Sequence, residues 1–258
     1  MNDAPTNAPV LVTGGTGTLG GHVLPRLSAA GHTVRVLSRK THRGVDGVEY
    51  VTGDLLRDEG IEPAVDGVHT LLHLAGGPKG DDRATASLMR AAVRAGVRHV
   101  VYISVIGAGR VPIGYFEAKH GAERAVSESG VPWTTLRAAQ FHDLVFTVVR
   151  KLAALPIVPD PRVIRFQPVD SRDVADRLVD LVQGVPSGLV PELAGPQVYP
   201  LAELIRSYLA ARGGNRPFLP VPVPGAVGRA YRHGHNLTVD GVTVGTRTWE
   251  DYLAEKLR

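Results

Sequence analysis

Of all the features of this chain, the stretch VLVTGGTGTLGGHV at residues 10–23 restricts its fold the most. Four residues suited to a strand run into a glycine cluster that satisfies two spacings at once. Gly14, Gly17 and Gly20 read G-x-x-G-x-x-G, while Gly15, Gly17 and Gly20 read G-x-G-x-x-G. A helical pattern follows at once. Strand, glycine turn and helix in that order bring backbone N–H groups and the positive end of a helix to one point, where an anionic group is held without side chains. Thr16 and Thr18 either add hydroxyl contacts there or cap the turn. No Gly-Lys-Ser/Thr follows, which excludes a phosphate loop of the Walker kind.

Apolar runs and helical patterns alternate through the first two thirds of the chain, as they do in βα units feeding a parallel sheet. The pattern predicts strands over residues 10–13, 33–37, 48–51, 70–74, 99–105 and 133–136, and helices over 19–30, 83–95 and 115–129. HVVYISV at 99–105 carries the strongest strand signal, being rich in β-branched and aromatic residues. Farther on, a helix is predicted over 141–155 up to Pro156, and prolines interrupt the pattern to residue 169. A helix over 172–182, a strand over 189–193, a helix over 201–211 and an extended loop FLPVPVPG at 218–225 follow. The expected fold is α/β, a Rossmann-like doubly wound parallel sheet. Residues 1–155 are expected to form the nucleotide-binding core, and 156–258 a smaller C-terminal region, interleaved with it, that closes the substrate cleft.

A length of 258 residues with 43% hydrophobic content suffices for a substantial core. Cysteine is absent, which removes disulfides, thiolate nucleophiles and cysteine metal sites. The 29 basic residues are spread among 25 acidic ones, giving a net charge of +4 without a dense basic block. A basic pocket for a phosphorylated ligand fits this balance, and no nucleic-acid partner is expected. No apolar run approaches the roughly 18 residues of a membrane span, and MNDAPTNAP has no signal core, so a cytoplasmic protein with a short loose tail is expected. His69 with His73, and His233 with His235, lack a third ligand, so no metal is expected. There is no G-x-S-x-G elbow for a serine hydrolase. Asp170 and Asp173 suit a tether for the C-terminal region and a cap for the helix beginning near Arg172.

The second predicted strand selects between nucleotides. An acid at its end would accept ribose hydroxyls, whereas HTVRVLSRK ends in Ser38, Arg39 and Lys40. An acid repels a 2'-phosphate, while Arg39 offers it a forked charged contact and Ser38 a further hydrogen bond, so NADP(H) is favoured over NAD(H). Asp54 either accepts from the adenine amino group or caps its own loop.

The chemistry is sought in YISVIGAGRVPIGYFEAK at residues 102–119. Tyr115 and Lys119 are four apart on a predicted helix and share a face. A cation beside a phenol favours the phenolate and suits it to proton transfer. Ser104, at the carboxyl end of the fifth strand, is placed to bond the same substrate oxygen. The three are the expected catalytic residues, with Lys119 also holding the nicotinamide ribose; the alternative is an accidental Tyr–Lys spacing, with Tyr102 or Tyr115 a partly buried structural phenol.

These motifs resemble the extended or atypical short-chain dehydrogenase/reductases, particularly their NmrA-like NAD(P)-binding branch, over nearly the whole chain. The matching segments are TGGTGTLGG, LSRK, GDL, YISVIG, YFEAK, ESGVPWTTLRAAQFHD, PVDSRDVA and TWEDYLAEKL. The resemblance implies active-site roles for Ser104, Tyr115 and Lys119, and puts Ala138, Ala139, Gln140 and Phe141 beside nicotinamide and substrate. The full expected cofactor set is Gly14, Thr16, Gly17, Thr18, Leu19, Gly20, Ser38, Arg39, Lys40, Asp54, Leu55, Leu74, Ala75, Gly76, Lys119, Ala138, Gln140 and Phe141. Gln140, Phe141 and His142 are expected at the substrate, with a polar loop role as the alternative for Gln140 and His142. Phe141, Phe146, Leu152 and Phe166 serve either as an apolar pocket wall or as core.

The expected activity is hydride transfer between NADP(H) and a small or medium apolar carbonyl, enone or quinone. The branch also contains regulators that bind the dinucleotide without turnover, so a silent redox sensor acting through a protein partner is the alternative. A monomer or a homodimer is expected.

Overall fold

The computed structural model describes residues 8–44, 47–77, 79–238 and 243–258, so the tail expected at the N-terminus lies largely outside the described residues. In chain order the elements begin with β1 (Val10–Thr13), α1 (Thr18–Ala29), β2 (Val34–Ser38), β3 (Val48–Thr52), α2 (Ile61–Val65), β4 (Thr70–His73) and α3 (Asp81–Ala95). Next come β5 (His99–Val105), α4 (Gly114–Ser127), β6 (Trp133–Ala138), α5 (His142–Ala153), β7 (Val158–Asp160), β8 (Arg165–Phe166) and α6 (Ser171–Gln183). The chain closes with β9 (Gly188–Leu189), β10 (Leu193–Ala194), β11 (Tyr199–Pro200), α7 (Leu201–Ala211), β12 (Phe218–Pro220), α8 (Gly225–Arg232), β13 (Thr243–Val244) and α9 (Trp249–Lys256).

Two compact units emerge, each drawn from separated parts of the sequence. The first comprises the described residues up to Ser104 together with Glu117–Leu136 and Ala175–Val190. The second comprises Val105–Phe116, Arg137–Val174 and the described residues from Pro191 onward.

In the first unit the strands follow the order β3-β2-β1-β4-β5-β6, with β9 beside β6. The pairs β2–β3, β1–β2, β1–β4 and β4–β5 run parallel. The order reverses between β1 and β4, and ligands bind at the carboxyl ends of strands flanking such a reversal. All seven residues of β5 are buried, as its continuous apolar sequence requires of a strand covered on both faces. In α3, Asp81 and Asp82 occupy the first turn, where negative charge meets the positive helix end. Gly96 closes that helix in the left-handed region, its N–H reaching Ala92 O and Val93 O. Leu88, Met89, Ala91 and Ala92 carry the apolar face of α3 into a core with Leu11, Ile61, Leu71, Val100, Ala122 and Val126.

The second unit buries a separate core in which Val145 and Val149 of α5, Leu204, Ile205 and Tyr208 of α7, and Trp249 and Leu253 of α9 pack together. Asp170 accepts from the Arg172 N–H at 2.8 Å at the start of α6. Asp173 accepts from the Thr246 N–H at 2.8 Å and holds Arg247 in an ion pair, which ties down the segment before α9.

The structure corrects the later elements. The single strand expected over 189–193 is two strands. Gly188 and Leu189 pair with Thr134 and Thr135 of β6, whereas Leu193 pairs with Ala138. Pro191 lies between them and has no N–H to continue a ladder. The loop expected over 218–225 begins as β12, parallel to β7, and ends where α8 starts at Gly225. Among the described residues, no helix is long and apolar enough to cross a membrane.

Candidate active site

The glycine turn lies in the first unit, at the carboxyl end of β1. Gly14 has φ +71°, and a Cβ there would lie 2.6 Å from Ala75 N, so only glycine lets the turn pass against the segment following β4. A Cβ on Gly20 would lie 2.3 Å from Gly15 O, so the first turn of α1 packs directly on the loop. Gly17 is the N-cap of α1 and has no capping side-chain bond, and Thr16, Gly17 and Thr18 are exposed while Leu19 is buried. The amides at this helix end are therefore presented to an anion.

A buried histidine clamps the turn from beneath. Thr13 Oγ1 and His73 Nδ1 lie 2.6 Å apart, Thr13 Oγ1 also accepts from Ala75 N at 3.2 Å, and His73 Nε2 lies 3.0 Å from Thr85 Oγ1 in α3. Burial, aided by the Lys119 charge, pushes the His73 pKa down to about 3, so the ring is neutral at physiological pH. In the sequence His73 was weighed only as a metal ligand. Its signal was its position at the end of β4, opposite Thr13 in the β1–β4 register.

At the end of β2, Ser38 is buried, and its hydroxyl accepts from Lys40 N at 3.2 Å and lies 3.0 Å from His42 Nε2. Arg39 and Lys40 are exposed beside it. Asp54 turns its own loop, with Oδ1 accepting from Leu56 N at 2.9 Å, and Leu55 is half-buried against the core. Leu74 N donates to Thr13 O at 3.1 Å, which joins the segment of Leu74, Ala75 and Gly76 to the glycine turn.

Ser104 is buried, and its Oγ has no hydrogen-bond partner among the described residues. Lys119 is buried too. Its Nζ lies 2.9 Å from Asp81 Oδ2 and donates to the Tyr102 hydroxyl at 3.4 Å, while the Tyr102 ring stacks on His73 with centroids 5.3 Å apart. Asp81 and Tyr102 were not anticipated as partners of Lys119. They lie 38 and 17 residues from it in the chain, beyond any local spacing rule.

Tyr115 belongs to the second unit, one helical turn before Lys119 in α4. It is half-buried, meets the Phe116 ring edge-on at 5.3 Å, and packs with Ile113 and Tyr231 on Val105, Ala108 and Val111. Ala138 is buried and its carbonyl accepts from Ile106 N at 2.9 Å. Gln140 and Phe141 are half-buried, Gln140 Oε1 has no partner among the described residues, and Phe141 bridges to Val169. His142 is fully buried, its ring 5.2 Å from that of Tyr252 and 6.1 Å from that of Trp249. Phe146, Leu152 and Phe166 pack partly buried on the second core.

A family model described as NAD(P)H-binding matches residues 14–184. The (4-alkanoyl-5-oxo-2,5-dihydrofuran-3-yl)methyl phosphate reductase of Streptomyces griseus is 37% identical over 139 residues, covering 51% of this chain and 48% of that protein. The photosystem II assembly factor Ycf39 of Trieres chinensis is 28% identical over 181 residues, covering 64% of this chain and 57% of that protein. The chain thus spans about half the length of these relatives. Among solved structures, the NADPH-dependent quinone oxidoreductase QOR2 of Escherichia coli, in complex with NADPH, superposes with a TM-score of 0.83 at 17% identity, covering 96% of this chain and 100% of that one. At that identity the likeness establishes the fold.

Proposed function

This chain belongs to the NAD(P)H-binding family, and from that premise we propose that it is an NADP(H)-dependent oxidoreductase acting on a small or medium apolar carbonyl, enone or quinone. One observation carries the reading. The glycine turn adjoins Ala75, and the next residue, Gly76, adjoins the buried Lys119 ammonium, so a phosphate cradle and a cation lie along one stretch of backbone. The residues fit a dinucleotide: open amides at the start of α1, a Gly14 with no room for a Cβ, and a buried Ser104 hydroxyl without a hydrogen-bond partner among the described residues.

A nicotinamide held there would supply the hydride chemistry at the substrate carbon. Tyr115 gives the substrate oxygen its proton, Ser104 donates a hydrogen bond to that oxygen, and Lys119 favours the phenolate left on Tyr115 while holding the nicotinamide ribose. Arg39 meets the 2'-phosphate as a charged fork beside Ser38. Gln140 and Phe141 border nicotinamide and substrate. The Streptomyces griseus relative, named for reduction of an acyl-substituted unsaturated lactone phosphate, supports an activated alkene or carbonyl as substrate class.

NADPH oxidation by the purified chain against aldehydes, ketones, enones and quinones tests the proposal. Tyr115→Phe is expected to lower kcat by about a hundredfold or more, the scale of a general acid, with NADPH affinity kept. Unchanged turnover in that variant removes Tyr115 from the mechanism. Arg39→Ala is expected to weaken NADPH about tenfold and leave NADH unchanged, and equal loss for both removes the phosphate argument.

The assembly-factor relative favours a second reading, a dinucleotide-binding regulator that acts through a protein partner. NADPH binding without turnover on any substrate of the panel would select it.

A further inference from the structure

Lys119 and Asp81 are 6% and 3% exposed, and they form an ion pair at 2.9 Å within the first unit. Such a pair is costly to desolvate, and an apolar pair of equal volume stabilises a core as well or better. Its location is what distinguishes it. A Cβ built on Gly76 would lie 2.7 Å from Lys119 Nζ and 3.4 Å from both carboxylate oxygens of Asp81, so the pair is pressed against the backbone that follows β4. The residue before Gly76 is the one that meets Gly14 of the phosphate turn.

Asp81 is itself well fixed. It is the first residue of α3, where the helix end favours a carboxylate, and the same helix is tied to β4 through Thr85 and His73. Lysine brings a flexible four-carbon stem and three donors. The Lys119 Nζ is ion-paired with Asp81 Oδ2 at 2.9 Å and donates to the Tyr102 hydroxyl at 3.4 Å, and three N–H groups exceed that single hydrogen bond, so donor capacity is left for a ligand. Without the carboxylate, the ammonium would be a buried cation opposed, among the described residues, by a phenol oxygen.

We infer that Asp81 is a positioning residue, which holds the Lys119 ammonium against Gly76 so that it meets the nicotinamide ribose of a dinucleotide in a single orientation. This rests on the dinucleotide reading above, and it assigns Asp81 a part in ligand binding although it acts only through Lys119.

The test compares wild type, Asp81→Asn, Lys119→Met and the double variant as full chains. NADPH and NADH are titrated by quenching of protein fluorescence, and thermal unfolding is followed without nucleotide. Asp81→Asn is expected to weaken both nucleotides by the same factor, about tenfold, the scale of one hydrogen bond to a charged group. Lys119→Met is expected to match it, and the double variant to be no weaker than Lys119→Met because the two residues act as a unit. The equal loss separates Asp81 from Arg39, whose removal touches NADPH alone. A lowered melting temperature with wild-type affinity for both nucleotides would make the pair purely structural and overturn the inference, as would additive losses in the double variant. If Asp81→Asn does not fold, Lys119→Arg keeps the charges and moves the cation; it is expected to keep the melting temperature and lose affinity, and wild-type affinity there overturns the inference. Absence of turnover in a wild type that binds both nucleotides counts against the oxidoreductase reading and not against Asp81.

Discussion

Each unit buries one histidine completely, and the two are held in opposite ways. His73, in the first unit, has both ring nitrogens engaged by threonine hydroxyls at 2.6 and 3.0 Å. His142, in the second, has no hydrogen bond to either nitrogen among the described residues, and its Nδ1 is 3.8 Å from Asp170 Oδ2. Around it Asp170 is committed elsewhere. Burial alone would raise its pKa, but hydrogen bonds from the Arg172 guanidinium and amide hold it well below the usual carboxylate range. Arg172 in turn reaches Glu255 at 2.9 Å. The polar groups under the glycine turn therefore form a closed set that fixes backbone, whereas His142 fills space against the stacked rings of Tyr252 and Trp249 while its neighbours pair with one another.

The largest effect is expected at His73. His73→Ala is expected to cost about 4 kcal/mol in urea unfolding, combining a cavity with the loss of two buried hydrogen bonds, to Thr13 and Thr85. It is also expected to weaken NADPH, since Thr13 would no longer be held against Ala75. Loss of stability without loss of NADPH affinity would show that the clamp does not reach the turn.

A smaller effect follows from titration. The folded pKa of His73 is pushed from its usual 6.5 down to about 3, so below pH 6.5 the unfolded chain takes up a proton that the folded chain refuses. Stability therefore falls as pH falls, by about 1.4 kcal/mol per pH unit for this group. Between pH 6.5 and 5 the wild type is expected to lose about 2 kcal/mol more than His73→Asn, and parallel curves would refute the assignment.

His142→Leu should change stability by less than about 1 kcal/mol, because an apolar side chain of similar volume replaces a ring whose nitrogens gain little from their surroundings. A loss as large as that in His73→Ala would mean that the Asp170 contact carries weight despite its 3.8 Å length, and the contrast between the units would collapse.

Much of this was legible without coordinates. The strands at residues 10–13 and 99–105 and the helix at 201–211 lie where their periodicity puts them, because burial on one face or both is written into neighbouring residues. The glycine turn was legible for the same reason, its requirement being local to a few residues of backbone. The strand at 189–193 was misread because apolar content does not reveal that Pro191 separates two strands with different partners. The helix starting at Gly225 was hidden behind a proline-rich stretch that reads as loop. Ser104 and Lys119 were visible as candidates, but their surroundings were not.

By itself the sequence determined the order of strand, turn and helix, the βα alternation, and the residue types available at the candidate site. Only the tertiary structure decided that His73 serves the turn, that His142 packs against aromatic rings, and that Asp81 and Tyr102 lie beside Lys119. Periodicity and turn chemistry act over a few neighbouring residues, whereas the partners of a buried polar group are chosen by which elements the closed chain brings within hydrogen-bonding distance.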